Sequence, residues 1–192
     1  MLDSNVIIDF RDWGQLDGLL AAATSAPMAI VEQVYTEVAL AAAGDSAEVV
    51  GKKRKTNEAL RGSALTVVGF LPGTPAESLY LTLAGAKTHD RGEAASIAFA
   101  RHDGPECVFV SRDKNATLMA LDELSDGTER VMRPFQFVRR VCDAGALEAG
   151  VVRAVARYVT NWGLVPSWWA PWLAELPVAD RYNRDVLEEP PR

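Results

Sequence analysis

The sequence predicts an α/β fold with a mostly parallel sheet covered on both faces and a helical C-terminal part. Two observations carry this. Short apolar segments, Met28 to Val31, Leu65 to Phe70 and Cys107 to Val110, alternate with stretches of helical periodicity. Strand–helix alternation is the pattern that buries a parallel sheet between helices. From Pro134 onward the pattern is helical alone, which divides the chain into a domain over 1–132 and a helical extension over 133–192.

Taken in order, Leu2 ends a strand stub at Asp3, and Met1 to Phe10 reads as that strand running into a loop. Only two residues precede Asp3, so either the strand is short or its start lies further upstream. Leu16 to Ala23 is helical in composition, and Pro27 ends it. Met28 to Val31 is a short buried strand. Glu32 to Ala43 follows, with Val31, Val34, Tyr35, Val38 and Ala42 on one stripe and Glu37 at its edge. Gly44 to Gly51 is a turn region, and the basic run Lys52-Lys53-Arg54-Lys55 opens a helix. Thr and Val content makes Leu65 to Phe70 a strand. Pro72, Gly73 and Pro75 punctuate the chain before a helix over Ala76 to Leu83. Helices follow over Gly92 to Arg101 and Lys114 to Leu124, with the buried strand Cys107 to Val110 between them and a last short strand at Thr128 to Met132. Helical patterns cover Phe135 to Asp143, Leu147 to Asn161 and Ser167 to Leu176, and a charged tail that frays follows Pro177.

Composition excludes several classes. Nearly half the residues are hydrophobic, 48%, so a core can form and global disorder is excluded. The net charge of −6 argues against a protein that coats nucleic acid without specificity. It leaves room for a nuclease, whose metal-binding carboxylates add negative charge beside a local basic surface. Cys107 reads as a buried small hydrophobe. With Cys142 it makes neither a disulfide framework nor a zinc spacing, so a reducing, cytoplasmic setting is expected. No signal peptide and no membrane span are expected. The Trp-rich segment from Trp162 to Leu176 is too interrupted by polar residues to cross a bilayer.

Acidic residues sit where α/β sheets gather ligands, at the carboxyl ends of strands. Asp3 follows the strand stub, Asp90 and Glu93 open a helix, Asp113 follows the strand ending at Val110, and Glu37 adds a further carboxylate. Each alone has a structural reading, which is the stronger one. Asp90 with Glu93 three residues on is a helix cap with its capping-box acid, Asp113 is a cap, Asp3-Ser4-Asn5 is a turn, and Glu37 is a solvated helix residue. The set is harder to dismiss, because clustered carboxylates repel one another unless a cation sits among them. Hard oxygen ligands select Mg²⁺ or Mn²⁺, ions suited to displacement at phosphorus.

Four segments carry a resemblance. Leu2-Asp3-Ser4-Asn5-Val6-Ile7-Ile8 resembles the start of PIN-domain ribonucleases, a strand ending in Asp-x-Asn before a short apolar helix turn. Glu37 sits in the helix that bears the family's second acid. His89-Asp90-Arg91-Gly92-Glu93-Ala94-Ala95-Ser96-Ile97-Ala98 looks like the third motif, and Val108-Phe109-Val110-Ser111-Arg112-Asp113-Lys114-Asn115-Ala116 like the fourth. They occur in the family's order and cover about residues 1 to 132. The resemblance implies a three-layer α/β/α fold and RNA cleavage dependent on Mg²⁺ or Mn²⁺, as in the toxin members of toxin–antitoxin pairs. It implies that Asp3, Glu37, Glu93 and Asp113 are catalytic and hold metal. Asn5 would orient Asp3 or a bound water, and Asp90 would cap the helix and support the ligands. The chain departs from the pattern at Arg112, where many relatives carry an acidic or small polar residue, and this bears on a second metal.

Lys52, Lys53, Arg54 and Lys55 are candidates to track an RNA backbone, weighed evenly against a solvated helix face. Arg112 and Lys114 flank Asp113 and are better placed to meet the phosphate being cut. His89 and His102 read as surface residues. Trp162, Trp168, Trp169 and Trp172 read first as core packing, then as an antitoxin or homodimer surface, and also as a base-stacking platform. The expected function is therefore a metal-dependent endoribonuclease of toxin type. The alternative is a catalytically weak PIN-fold module that binds RNA or protein. A phosphotransfer enzyme of haloacid-dehalogenase type ranks below both, since it would need Asp-x-Asp where this chain has Asp3-Ser4-Asn5.

Overall fold

In the computed structural model, which describes residues 1–85, 90–124 and 127–177, the chain leaves extended conformation at its third residue. Asp3 is extended (φ −76°, ψ 157°), and its carboxylate accepts the N–H of Ser4, capping α1 (Ser4–Asp12). The expected loop after Asp3 is thus a helix. Val6, Ile7 and Phe10 recur at helical spacing and are fully buried, and that burial outweighs the weak helix preference of β-branched residues. After α2 (Leu16–Ala22) and β1 (Ala29–Val31), α3 (Glu32–Ala39) stops short of the expected Ala43. Leu40 turns extended, and Asp45 Oδ2 accepts the Ala42 N–H at 2.8 Å, a local bond that competes with the helix. The region expected as a turn before the basic run is partly helical. Ser46 caps α4 (Ala47–Arg61), so Lys52 to Lys55 lie inside that helix rather than at its start.

The next elements are β2 (Thr66–Val68), α5 (Pro75–Gly85), α6 (Arg91–His102), β3 (Phe109–Val110) and α7 (Lys114–Glu123). They are followed by α8 (Gly127–Arg130), β4 (Val131–Met132) and α9 (Pro134–Asp143). The expected strand at Thr128 to Met132 is therefore confined to its last two residues. The expected helix from Leu147 to Asn161 divides into α10 (Ala149–Val155) and a 3₁₀ turn at Val159–Trp162, and α11 (Trp169–Glu175) follows. His89 and the tail after Pro177 lie outside the described residues.

The architecture is α/β, with strands shorter than the sequence suggests. They form two parallel pairs, β1 with β2 (Ala29 opposite Thr66) and β3 with β4 (Phe109 opposite Val131). Met1 to Asp3 touches both pairs. Leu2 N–H donates to Ala29 O at 2.8 Å. Val110 N–H donates to Met1 O at 2.9 Å, and Asp3 N–H donates to Val110 O at 3.0 Å. Leu2 and Val110 are paired in parallel, so Asp3, Ser111 and Arg133 leave their strands at one end.

One hydrophobic core runs from Leu2 to Leu176 and includes Phe135, Val138, Val152, Val155, Trp162, Trp169 and Trp172. The C-terminal helices therefore share the core of the preceding residues. Gly18 shows how closely: a Cβ there would lie 2.5 Å from Val151 Cγ2, so α2 and α10 meet where any side chain larger than glycine's would displace Val151. Phe135 meets two tryptophans edge to face, 5.3 Å from Trp162 and 5.0 Å from Trp169 between ring centroids. Cys107, expected inside, is half-buried at the strand's entry, and both cysteines are free thiols. Among the described residues no helix is long and apolar enough to cross a membrane.

Candidate functional site

Asp3 is completely buried, and its two carboxylate oxygens are divided between neighbours. Oδ1 accepts the Ser4 N–H at 2.7 Å. Oδ2 accepts the Ser111 hydroxyl at 2.8 Å and the Asn5 side-chain amide at 3.2 Å. Ser111 is equally buried and also accepts the Asp113 N–H at 3.0 Å. One hydroxyl thus ties the end of the first strand to the turn after β3, across 108 residues of sequence. Asp113 caps α7, its Oδ1 accepting the N–H groups of Asn115 and Ala116 at 2.7 and 2.9 Å.

Asp90 caps α6, with Oδ1 accepting the Gly92 N–H at 2.7 Å. Glu93, on the first turn of α6, is 9% exposed. Gly92 brings α6 against α3. A Cβ at that position would lie 3.0 Å from Val34 Cγ2, 3.2 Å from Asp90 Oδ1 and 3.4 Å from Glu37 Oε2. Glu37 is exposed as a residue, but its carboxyl end reaches this junction.

The electrostatics mark these groups as neighbours. Burial, followed by the negative charges of Asp3, Asp113, Asp90 and Glu37, raises the Glu93 carboxyl to about 8. Crowding by protein and the charge of Asp90 push Glu37 up, with Asp3 adding to the rise and the Ser4 hydroxyl and Lys53 opposing it. Burial raises Asp3, against the hydrogen bonds from Ser111, Ser4 and Asn5. Among the described residues none of these five carboxylates forms a salt bridge. The donor set is all oxygen and carries excess negative charge, which suits a hard divalent cation. Its side chains are not drawn into a preformed cage, since no group of three or more His, Cys, Asp or Glu residues among those described has metal-holding geometry.

The basic candidates are mostly engaged elsewhere. Lys52 pairs with Glu48 at 3.0 Å, Lys53 with Asp45 at 3.0 Å, and Arg54 stands 4.0 Å from Glu58. Lys53 is the member of the run that feels the site, through Glu37. Lys55 and Lys114 are exposed, and Lys114 adjoins Asp113. Arg112 turns away to Asp9, Nη1 to Oδ1 at 3.3 Å. His102 is exposed at the end of α6.

Sequence reasoning assigned no role to Ser111, Asp9 or Arg133. The Ser-x-Asp spacing before a helix was a readable signal for Ser111, because a serine hydroxyl commonly accepts an N–H two residues on. Asp9 and Arg133 carry no such signal, since their partners are distant in sequence. Comparison with protein-family models, with curated proteins and with solved structures returned no match.

Proposed function

We propose that this chain is a metal-dependent endoribonuclease with a three-layer α/β/α fold of PIN type, in which Asp3, Glu37, Glu93 and Asp113 hold Mg²⁺ or Mn²⁺. The observation that carries the reading is that the charges of Asp3, Asp90 and Asp113, the caps of α1, α6 and α7, and of Glu37 on α3 all bear on Glu93, without a salt-bridge partner among the described residues. A purely structural cluster would gain nothing from such mutual repulsion, whereas a cation relieves it. When bound, the ion would supply a water of lowered pKa and stabilise charge on the phosphoryl oxygens.

The protein's own groups have distinct tasks in this reading. Ser111, Ser4 and Asn5 fix the Asp3 carboxylate and favour its charged form. Asp90 serves as helix cap and orients the turn that bears Glu93. Lys114 and Lys55 are exposed cations available to RNA phosphates, while Lys53 sits by Glu37 and offsets its charge. The toxin role, a cognate antitoxin, a homodimer and a cytoplasmic setting follow from the family resemblance.

A second reading, a PIN-fold module that binds RNA or protein without cutting, is favoured by the lack of a preformed metal cage among the described residues. Incubating purified protein with a mixed RNA pool in Mg²⁺, Mn²⁺ or EDTA, beside Asp3→Asn, separates the two. Metal-dependent cleavage that disappears in Asp3→Asn is the expected result. No cleavage by folded parent protein would reject the nuclease in favour of the module.

A further inference from the structure

We propose that Trp162 is a positioning residue for Asp113, so that the C-terminal extension forms part of the acidic site. The proposal rests on the site described above. It comes from a closed ring of contacts. The Trp162 indole N–H donates to Asp9 Oδ2 at 2.9 Å, and Asp9 Oδ1 pairs with Arg112 Nη1 at 3.3 Å. On the other side, Arg133 Nη2 donates to the Trp162 carbonyl at 3.3 Å, and Nη1 donates to the Asp113 carbonyl at 3.2 Å and to Thr117 Oγ1 at 3.1 Å. Both arms end on the Arg112-Asp113 turn, one through a side chain and one through the main chain.

The environment makes these contacts directional. Trp162 is 2% exposed and Asp9 is 6% exposed. A carboxylate that buried needs partners, and its two oxygens take one each. Aromatic rings fix the indole: Phe135 meets it edge-on at 5.3 Å, and Trp13 lies 5.2 Å away. Trp162 is therefore a rigid post, and α1, which Asp3 caps, carries Asp9 at the start of its last turn. The ring also explains why Arg112 stands beside an acidic site without pairing there. Its charge is spent on Asp9. Groups bonded directly to a metal ligand are worth about 10–100-fold in metal affinity, and Trp162, which acts through Asp9 and Arg133, belongs at the low end of that range.

The test compares two matched variants. Trp162→Phe keeps an aromatic side chain and removes the donor to Asp9. Trp172→Phe removes an equivalent donor, the 2.9 Å bond to Asp143 Oδ1, away from the turn. Two quantities are read: Mn²⁺ affinity by titration, and amide hydrogen exchange at Ser111 and Asp113 in metal-free protein. The expected result is an affinity loss of about 10-fold or more in Trp162→Phe, with faster exchange at Asp113, and neither change in Trp172→Phe. Unchanged values in Trp162→Phe, or equal changes in both variants, overturn the proposal. Should Trp162→Phe fail to fold, Asp9→Asn breaks the same ring from α1 and is judged by the same readings. If the parent binds no Mn²⁺, the metal reading fails separately. The exchange result then decides the ring alone, with selective loss of protection at Asp113 upholding it and equal protection rejecting it.

Discussion

Replacing Glu93 by Gln should stabilise the metal-free protein. The side chain is 9% exposed, and its carboxyl is raised to about 8 from an ordinary 4.5 by burial and four surrounding carboxylates. Because the folded pKa lies above the unfolded one, the folded state retains a proton that the unfolded chain has released. Stability therefore falls as pH climbs from about 4.5 to about 8. At pH 7 the unfolded carboxyl is about 2.5 units past its pKa, while the folded one is still largely protonated. At roughly 1.4 kcal/mol per unit, the cost has a ceiling of about 3 kcal/mol. Gln keeps the shape and never ionises, so up to that amount should be recovered, roughly 5–10 °C in Tm for a chain of this size. Thermal unfolding in EDTA at pH 7 and pH 5 measures it. The advantage should shrink to under about 1 kcal/mol at pH 5, which lies only about half a unit above the unfolded pKa. Excess Mn²⁺ should reverse the order, because binding to the folded state stabilises the parent alone. A variant no more stable than the parent in EDTA at pH 7, or equally advantaged at pH 5, would mean that Glu93 carries no uncompensated charge.

Two further outcomes are expected. Asp113→Asn should abolish metal-dependent cleavage with little change in Tm, since Asn is as good a helix cap and keeps the bonds to Asn115 and Ala116; retained cleavage removes Asp113 from the site. Lys55→Ala with Lys114→Ala should weaken RNA binding and reduce its dependence on salt by at most about two phosphate contacts. An unchanged salt slope in filter binding would take these two side chains out of the RNA contact.

The parts of the fold that could be read from sequence are those set by local chemistry. Asp90 and Asp113 occupy cap positions because a short acid before a helix accepts the first free N–H groups wherever the rest of the chain lies. The helix expected over Gly92 to Arg101 spans Arg91 to His102, since its small residues let neighbours close in on all sides. What could not be read was decided by distant partners. Val6-Ile7-Ile8 looked like the run-out of a strand until Asp3 capped it and the core accepted Val6 and Ile7. Asp9 would be misplaced inside a protein without Arg112 and Trp162, which are 103 and 153 residues away in sequence. Within the basic run, Glu48 with Lys52 and Arg54 with Glu58 have the i,i+4 spacing of helix pairs, whereas Asp45, which precedes α4, could not be assigned to Lys53 from spacing.

The hydrogen bond from Ser111 to Asp3 has a consequence for the timing of synthesis. The hydroxyl that orients Asp3 is translated 108 residues after it, and Trp162 later still. At roughly 5–20 residues per second, many seconds separate the appearance of Asp3 from that of its last support. A nascent chain that ends before Ser111 holds Asp3 without that hydroxyl. In the proposed ring, the site is completed only after Trp162 has emerged.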